Sequence, residues 1–486
     1  MRGALAAALV AALALTGCHV QQSYKPPSAP TPAAYQEAPP ASFQESKQWR
    51  AANPADGLAR GRWWEIFRDP TLNSLEEKAF AANENVKAAV ARFDEARAFV
   101  RENRSGRLPT VAVAPGIVNE RFSKNRPLAP QGKAVFGDFT LPFSASWEPD
   151  FWGRIRTQID SAATGAQAVA ADVESVRLGV TAELAFDYFD LRGYDRERGI
   201  LESAVKTYER ALELTRNRFA GGVANRVDVE ESETQLEATR AQAIDITAQR
   251  AKLEHAIAVL TGQTPEGFSL PEQAGVPEPP AIPIGVPSAL LERRPDIAGL
   301  ERRVASANAR IGLARAAFYP RVMLAAALGL EGTSITNWLN WPSRFWAIGP
   351  SALQTIYDGG RRRAVLDEAT AGYDSLLASY RETVLTAFQQ VEDSVSSLRI
   401  LESEAERQRA AVEAARRSEA LSMNRYRGGL VTYLEVATAQ AIRLQNERVA
   451  VGLERRRMES SVALIKALGG GWDAHSLPTE KDLAGQ

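Results

Sequence analysis

The sequence predicts an α+β membrane protein built as a tandem repeat, with long coiled-coil helices and strands of the transmembrane β-barrel type. Three observations predict it. One glycine turn occurs twice in matching context. Apolar residues recur at alternating steps of four and three over long stretches. Short segments that alternate apolar and polar residues occupy the same place in both copies.

The turns are NRFAGGVANRVDV at 217–229 and NRYRGGLVTYLEV at 424–436, which lie 207 positions apart. Both run Asn-Arg-aromatic, any residue, Gly-Gly, five variable positions, an acid, then Val. Gly262 matches Gly469 at the same offset, each closing a long helical pattern. Asp150-Phe-Trp-Gly-Arg154 faces Asp358-Gly-Gly-Arg361, and Leu108-Pro109 faces Tyr319-Pro320. The chain therefore divides into a first repeat at 61–269, a Pro-rich linker at 270–287, a second repeat at 288–470 and a tail at 471–486.

Each repeat reads helix, strand, loop, strand, long helix, glycine turn, long helix. The first helix opens at Asp69-Pro70, an N-cap with Pro at N1, and runs to about Ser105. The long helix of the first repeat begins near Arg154 and carries Ile155, Ile159, Ala162, Ala166, Val169, Val173, Val176, Val180, Leu184, Tyr188 and Leu191 on one seam. The second repeat has Ala369, Tyr373, Leu376, Tyr380, Val384, Ala387, Val391, Val395 and Leu398. From Arg154 to Phe219 such a helix reaches about 100 Å at ~1.5 Å per residue, so it has to pack on partner helices.

The strands come next. In 139–149, Phe139, Leu141, Phe143, Ala145 and Trp147 share one face, while Thr140, Ser144, Ser146 and Glu148 share the other. In 321–332, Val322, Leu324, Ala326, Leu328 and Leu330 share a face. Apolar outside and small or polar inside, about ten residues long, suits a barrel strand; the same pattern also fits a soluble sheet laid on a core. Trp338, Trp341, Phe345 and Trp346, with Trp147, could form an interfacial girdle. Four strands cannot close a barrel, since the smallest have about eight, so the barrel reading requires several chains.

The N-terminus reads MRGALAAALVAALALTGC. Arg2 is a charged n-region, and Ala4 to Leu15 is an apolar run too short for a membrane helix. LTGC at 15–18 resembles a bacterial lipobox, which makes 1–17 a signal peptide and Cys18 the lipidated, palmitate-bearing first residue of a tether at 18–60. His19, rather than Asp, follows Cys18 and favours the outer membrane. Downstream, no stretch of about eighteen apolar residues occurs, so anything spanning a bilayer has to be a closed barrel.

Composition excludes other classes. The chain has 486 residues with 58 basic and 59 acidic side chains, and no basic excess asks for nucleic acid. His19, His255 and His475 are the only histidines, and Cys18 is the only cysteine, so neither a metal site nor an internal disulfide is expected. No cofactor motif occurs. There is no nucleophile motif, phosphate loop or convergent His, Asp and Ser set, which argues against an enzyme.

The whole span from Cys18 to about Gly470 resembles the TolC-like outer membrane factors, in particular the NodT-type efflux lipoproteins. The supporting stretches are LTGC, RWWEIFRDPTLNSL at 62–75, LLERRPDIAGLERR at 290–303, ANARIGLARAAFYP at 307–320 and the two Gly-Gly turns. The resemblance implies a homotrimer with one twelve-stranded barrel over an α-helical periplasmic tunnel. It implies a passive exit duct for small molecules in multidrug resistance, partnered by a periplasmic adaptor and an inner-membrane resistance-nodulation-division pump. It makes Gly221, Gly222, Val223, Gly428, Gly429 and Leu430 adaptor-facing tips. It places Glu435 and Thr438 at the closed aperture, and gives Asp228 a bond across to Tyr426. Val431 stands where some members carry a gate-locking Arg, and Thr438 where many carry an Asp, so Glu435 is left as the one acid ring, and the lock is either looser or uses Arg226 or Arg425. Replacing Glu435 or Asp228 with Ala is then expected to raise conductance. Two further readings stay open: an exit duct for type I protein secretion, and a lipid-anchored coiled-coil scaffold without a pore.

Overall fold

The computed structural model describes residues 23–40, 61–121, 123, 135–273, 275, 277–284, 287 and 290–484. The signal segment and Cys18 lie outside the described residues. Two helical hairpins dominate. In the first, α3 (Arg154–Ala220) returns as α4 (Arg226–Leu260); in the second, α7 (Arg361–Arg427) returns as α8 (Tyr433–Ala467). The outgoing helices are 67 residues each and the returning ones 35 each, so the repeats match in length as well as in motif. The longer helices reach about 100 Å and the shorter about 50 Å. The remaining upper half of α3 is covered by α2 (Glu84–Ser105) and α6 (Pro295–Ala316), and α6 also packs on α7.

Asp69 caps α1 (Pro70–Ala82), accepting hydrogen bonds from the Thr71 and Leu72 amides at 2.8 and 3.1 Å. The single helix expected from Pro70 to about Ser105 is instead two. Asn83 takes ψ 127°, ends α1 and caps α2 by accepting from the Asn85 and Val86 amides. Its Nδ2 also donates to the carbonyl of Leu260, the last residue of α4, at 2.9 Å. The second repeat breaks at the matching place, between α5 (Leu290–Arg293) and α6. There the Arg294 Nη1 donates to the carbonyl of Ala467, the last residue of α8, at 3.0 Å. A glycine backs each break: a Cβ on Gly262 would meet the Ala82 carbonyl, and one on Gly469 the Arg293 carbonyl. Both breaks bond through side chains to carbonyls far away in sequence, which is why helical periodicity did not reveal them.

The seam residues bury as expected. Ile155, Ile159, Ala162, Ala166, Val173, Val180, Leu184, Tyr188 and Leu191 are buried, with Val169 and Val176 half-buried. In α7, Tyr380, Val384, Ala387, Val391, Val395 and Leu398 are buried, while Ala369, Tyr373 and Leu376 nearer the sheet are half-buried. The largest core lies at mid-height, where Trp63, Trp64 and Phe67 pack with Tyr188, Phe189 and Met458. Just below it, Asp195 accepts from Arg192 at 3.1 Å and Arg250 at 2.6 Å, and those arginines donate to the Pro271 and Leu270 carbonyls. A paired buried charge cluster thus fixes the start of the linker to α3 and α4. The highly charged segment 454–460 is largely packed, with Arg456 alone exposed. Met458 is buried, and Arg455 binds Asp190 at 3.1 Å with its guanidinium 4.4 Å over the Tyr194 ring.

One antiparallel sheet joins the repeats. It contains β1 (Thr110–Val113), β2 (Gly116–Arg121), β3 (Val135–Trp147), β4 (Arg321–Gly332) and β5 (Arg344–Leu353). Both β1 and β2 pair with β3, at its two ends, so they are one strand interrupted at Ala114-Pro115. Among the described residues the sheet is four strands wide, and no further strand pairs with either of its edges. Among the described residues no helix is long and apolar enough to cross a membrane.

Candidate channel site: the sheet face and the hairpin tips

The register aligns the apolar residues of every strand. Val113, Phe143, Leu328 and Trp346 form one cross-strand row, and Val111, Ala145, Ala326 and Ile348 the row beside it. Ile117 and Phe139 continue the same face. Rows on the opposite face read Thr110, Ser146, Ala325, Gly349 and Ala112, Ser144, Ala327, Ala347. The apolar face lies open rather than against a core: Val111, Trp346 and Ile348 are 70%, 74% and 76% exposed. A soluble sheet would bury that face. An exposed apolar patch on this scale marks contact with lipid or another chain.

The aromatic residues sort by height on the sheet. Trp147 closes β3 near the helices, its Nε1 donating to the Arg107 carbonyl at 3.0 Å. Trp338 and Trp341 stand at the far rim. The first packs on Phe139 at 5.8 Å, and the second lies under the Arg344 guanidinium at 4.5 Å. Trp346 is not at a rim; it sits within the sheet, opposite Leu328.

At the other end of the molecule the two tips close identically. The Val223 amide donates to the Arg218 carbonyl and the Gly222 amide to the Phe219 carbonyl, both at 2.9 Å. Leu430 to Arg425 and Gly429 to Tyr426 repeat the pattern, both at 3.0 Å. These are paired Schellman closures. Only the second glycine of each pair needs its freedom, with φ 72° at Gly222 and 74° at Gly429. Gly221 and Gly428 have φ −80° and −74°.

The expected mouth residues divide. Glu435 lies in the first turn of α8 and accepts from the Arg425 Nη1 at 2.8 Å and the Ser422 Oγ at 3.3 Å. Arg425 is therefore the basic partner; Arg226 pairs with Glu230 on its own helix at 3.3 Å. Thr438 is exposed one turn on, its hydroxyl donating to the Leu434 carbonyl. Asp228 is 8% exposed in the first turn of α4. The expected bond from Tyr426 to Asp228 is corrected: the buried Tyr426 hydroxyl bonds with Thr215 Oγ1 at 3.2 Å, and its ring packs edge-on to Tyr433 at 5.6 Å. The reason is that α3, rather than the start of α4, lies against this tyrosine. Arg218, a functional residue that no motif singled out, stacks its guanidinium 4.7 Å over Tyr426. The repeat carried the signal, because Arg218 is the counterpart of Arg425.

An open four-stranded sheet with an apolar outer face, set on two long hairpins, defines a subunit of an outer-membrane channel. The model of the family described as outer membrane efflux protein matches residues 75–263 and 286–470, one match per repeat. This chain belongs to that family. It is 30% identical over 463 residues to the toluene efflux pump outer membrane protein TtgF of Pseudomonas putida, covering 95% of each chain. It is 30% identical over 434 residues to the pyoverdine export outer membrane protein OpmQ of Pseudomonas aeruginosa, covering 88% of this chain and 91% of that one. The solved outer-membrane channel OprN superposes with a TM-score of 0.85 at 30% identity, over 94% of this chain and all of that one. The protein is an outer-membrane efflux component whose helices extend into the periplasm.

Proposed function

We propose that this chain is the exit duct of a tripartite efflux system, in which three copies close a twelve-stranded barrel over a continuous helical tunnel. Small molecules pass through it passively, delivered by a resistance-nodulation-division pump through a periplasmic adaptor. The observation that carries this reading is the open-edged sheet with its exposed apolar face. Four strands are too few for a barrel, and three sheets joined edge to edge supply enough. β3 has 13 residues and reaches about 44 Å, enough to cross the ~25 Å apolar band when tilted by ~40°.

Trp147, Trp338 and Trp341 mark the two rims of that band, with Trp346 inside it, and an acylated Cys18 adds a second anchor. The tips at Gly221, Gly222, Val223, Gly428, Gly429 and Leu430 form the ring that the adaptor caps. Glu435 lines the closed mouth as a carboxylate ring, held by Arg425, with Thr438 one turn further in. Asp228 and Tyr426 belong to the same mouth. The relatives' names span toluene efflux and pyoverdine export, cargoes with little chemistry in common, which supports a duct that takes what its pump delivers.

The test is the mass of the detergent-extracted particle together with planar-bilayer conductance from the same preparation. A three-chain particle that conducts is the expected result, with Glu435→Ala raising its resting conductance. A water-soluble particle without conductance would leave a lipid-anchored scaffold as the better account.

A further inference from the structure

The repeat gives both tips the same charged pair. Arg218 corresponds to Arg425 and Asp228 to Glu435, and each acid is the third residue of its returning helix. The arginines nonetheless behave differently. Arg425 stays within its hairpin and binds Glu435 at 2.8 Å. Arg218 crosses to the other hairpin, where its Nη1 donates to the Arg427 carbonyl at 3.1 Å and its guanidinium lies 4.7 Å over the Tyr426 ring. Among the described residues no ion pair joins Arg218 to Asp228.

The contact Arg218 makes is a good one for a cation. Arg427 ends α7, so its carbonyl is one of the orphan acceptors at the negative end of the helix dipole. The Tyr426 face adds a cation–π attraction. The contact is also incomplete: the Arg218 Nε is buried without a partner, which penalises this arrangement. The Arg425–Glu435 pair demonstrates that an arginine at this position reaches the acid on its own returning helix.

We propose that Arg218 is an exchangeable latch: bound to Arg427 and Tyr426 it holds the α7–α8 hairpin against the α3–α4 hairpin, and on release it pairs with Asp228. The gating role rests on the exit-duct reading above. Because Arg218 has a partner in both arrangements, a carbonyl and a ring face in one and a carboxylate in the other, neither state strands the guanidinium, as a switch requires. Asp228 is then a partner of the released state, so its removal should favour closure, opposite to the effect expected from sequence.

The experiment uses the full-length protein with spin labels at Val223→Cys and Leu430→Cys, read as a tip-to-tip distance distribution beside single-channel conductance. Arg218→Ala is expected to lengthen the distances and raise resting conductance by about tenfold or more. Arg218→Lys keeps the carbonyl bond, loses the flat stacking and falls between. Asp228→Asn is expected to keep the distances short and lower the conductance. Distances unchanged in Arg218→Ala would overturn the latch, and lengthened distances in Asp228→Asn would overturn the exchange. Lengthened distances in Arg218→Ala with no form conducting would uphold the latch and remove the duct reading instead.

Discussion

The second glycine of each tip carries a conformational demand that the first does not. At φ 72° and 74°, Gly222 and Gly429 occupy the left-handed region, where a Cβ costs about 1–2 kcal/mol. Gly221 and Gly428 sit near helical values, and a Cβ there would lie at an ordinary 3.5 Å from its nearest neighbours. Gly222→Ala and Gly429→Ala should therefore speed hydrogen exchange at the Val223 and Leu430 amides by about 5- to 30-fold. Gly221→Ala and Gly428→Ala should leave exchange unchanged or slow it slightly. Equal acceleration in all four would mean that the tips need glycine for clearance rather than for backbone angle. The sequence showed that a turn had to be there, but not which glycine did the turning. Likewise it showed Arg218 as half of a repeated pair without showing that only one arginine of the two would cross between hairpins.

At the scale of elements, the legible features were those written in local spacing. The 67-residue helices, their seams, the caps at Asp69-Pro70 and the alternation in β3 and β4 all follow from short-range patterns. The helix breaks at Asn83 and Arg294 did not, because their reward is a carbonyl at Leu260 or Ala467, far along the chain. The packing of α8 on α3 was equally hidden, and it carries a pH dependence. Burial pushes the Asp187 carboxyl up to about 7, with Glu183 and Asp190 adding repulsion. Burial likewise raises Glu459 to about 7, helped by its hydrogen bond with Asp190 and opposed by Arg455 and Arg456. An acid with a raised pKa in the folded chain stabilises the fold fully below its ordinary range. That contribution is lost as pH climbs to about 7. The thermal midpoint should fall between about pH 4 and pH 7, and Asp187→Asn should flatten the slope. The variant should melt above the parent at about pH 7.5 and alongside it near pH 4. Parallel curves for the two proteins would show that Asp187 ionises normally in the assembled tunnel.

At the scale of the whole molecule, one sheet has to satisfy two solvents. Its rows assign Leu328, beside Phe143 and Trp346, to the exposed apolar face, and the adjacent Ala327, between Ser144 and Ala347, to the other. If the first face meets lipid, a charge there is expensive, about 2–4 kcal/mol for an arginine near mid-membrane. If the second faces a water-filled lumen, the same charge costs little but enters the conducting path. Leu328→Arg should therefore reduce the assembled, heat-modifiable oligomer in the outer membrane while any oligomer formed conducts normally. Ala327→Arg should assemble at parental yield and conduct less, with a shift toward anions. The two positions are neighbours in sequence and share the same helices, tips and turns, so general misfolding would affect both alike. Reversed outcomes would turn the sheet inside out and require the apolar rows to pack against another protein. Equal assembly and equal conductance in both variants would mean that this sheet encloses no channel at all.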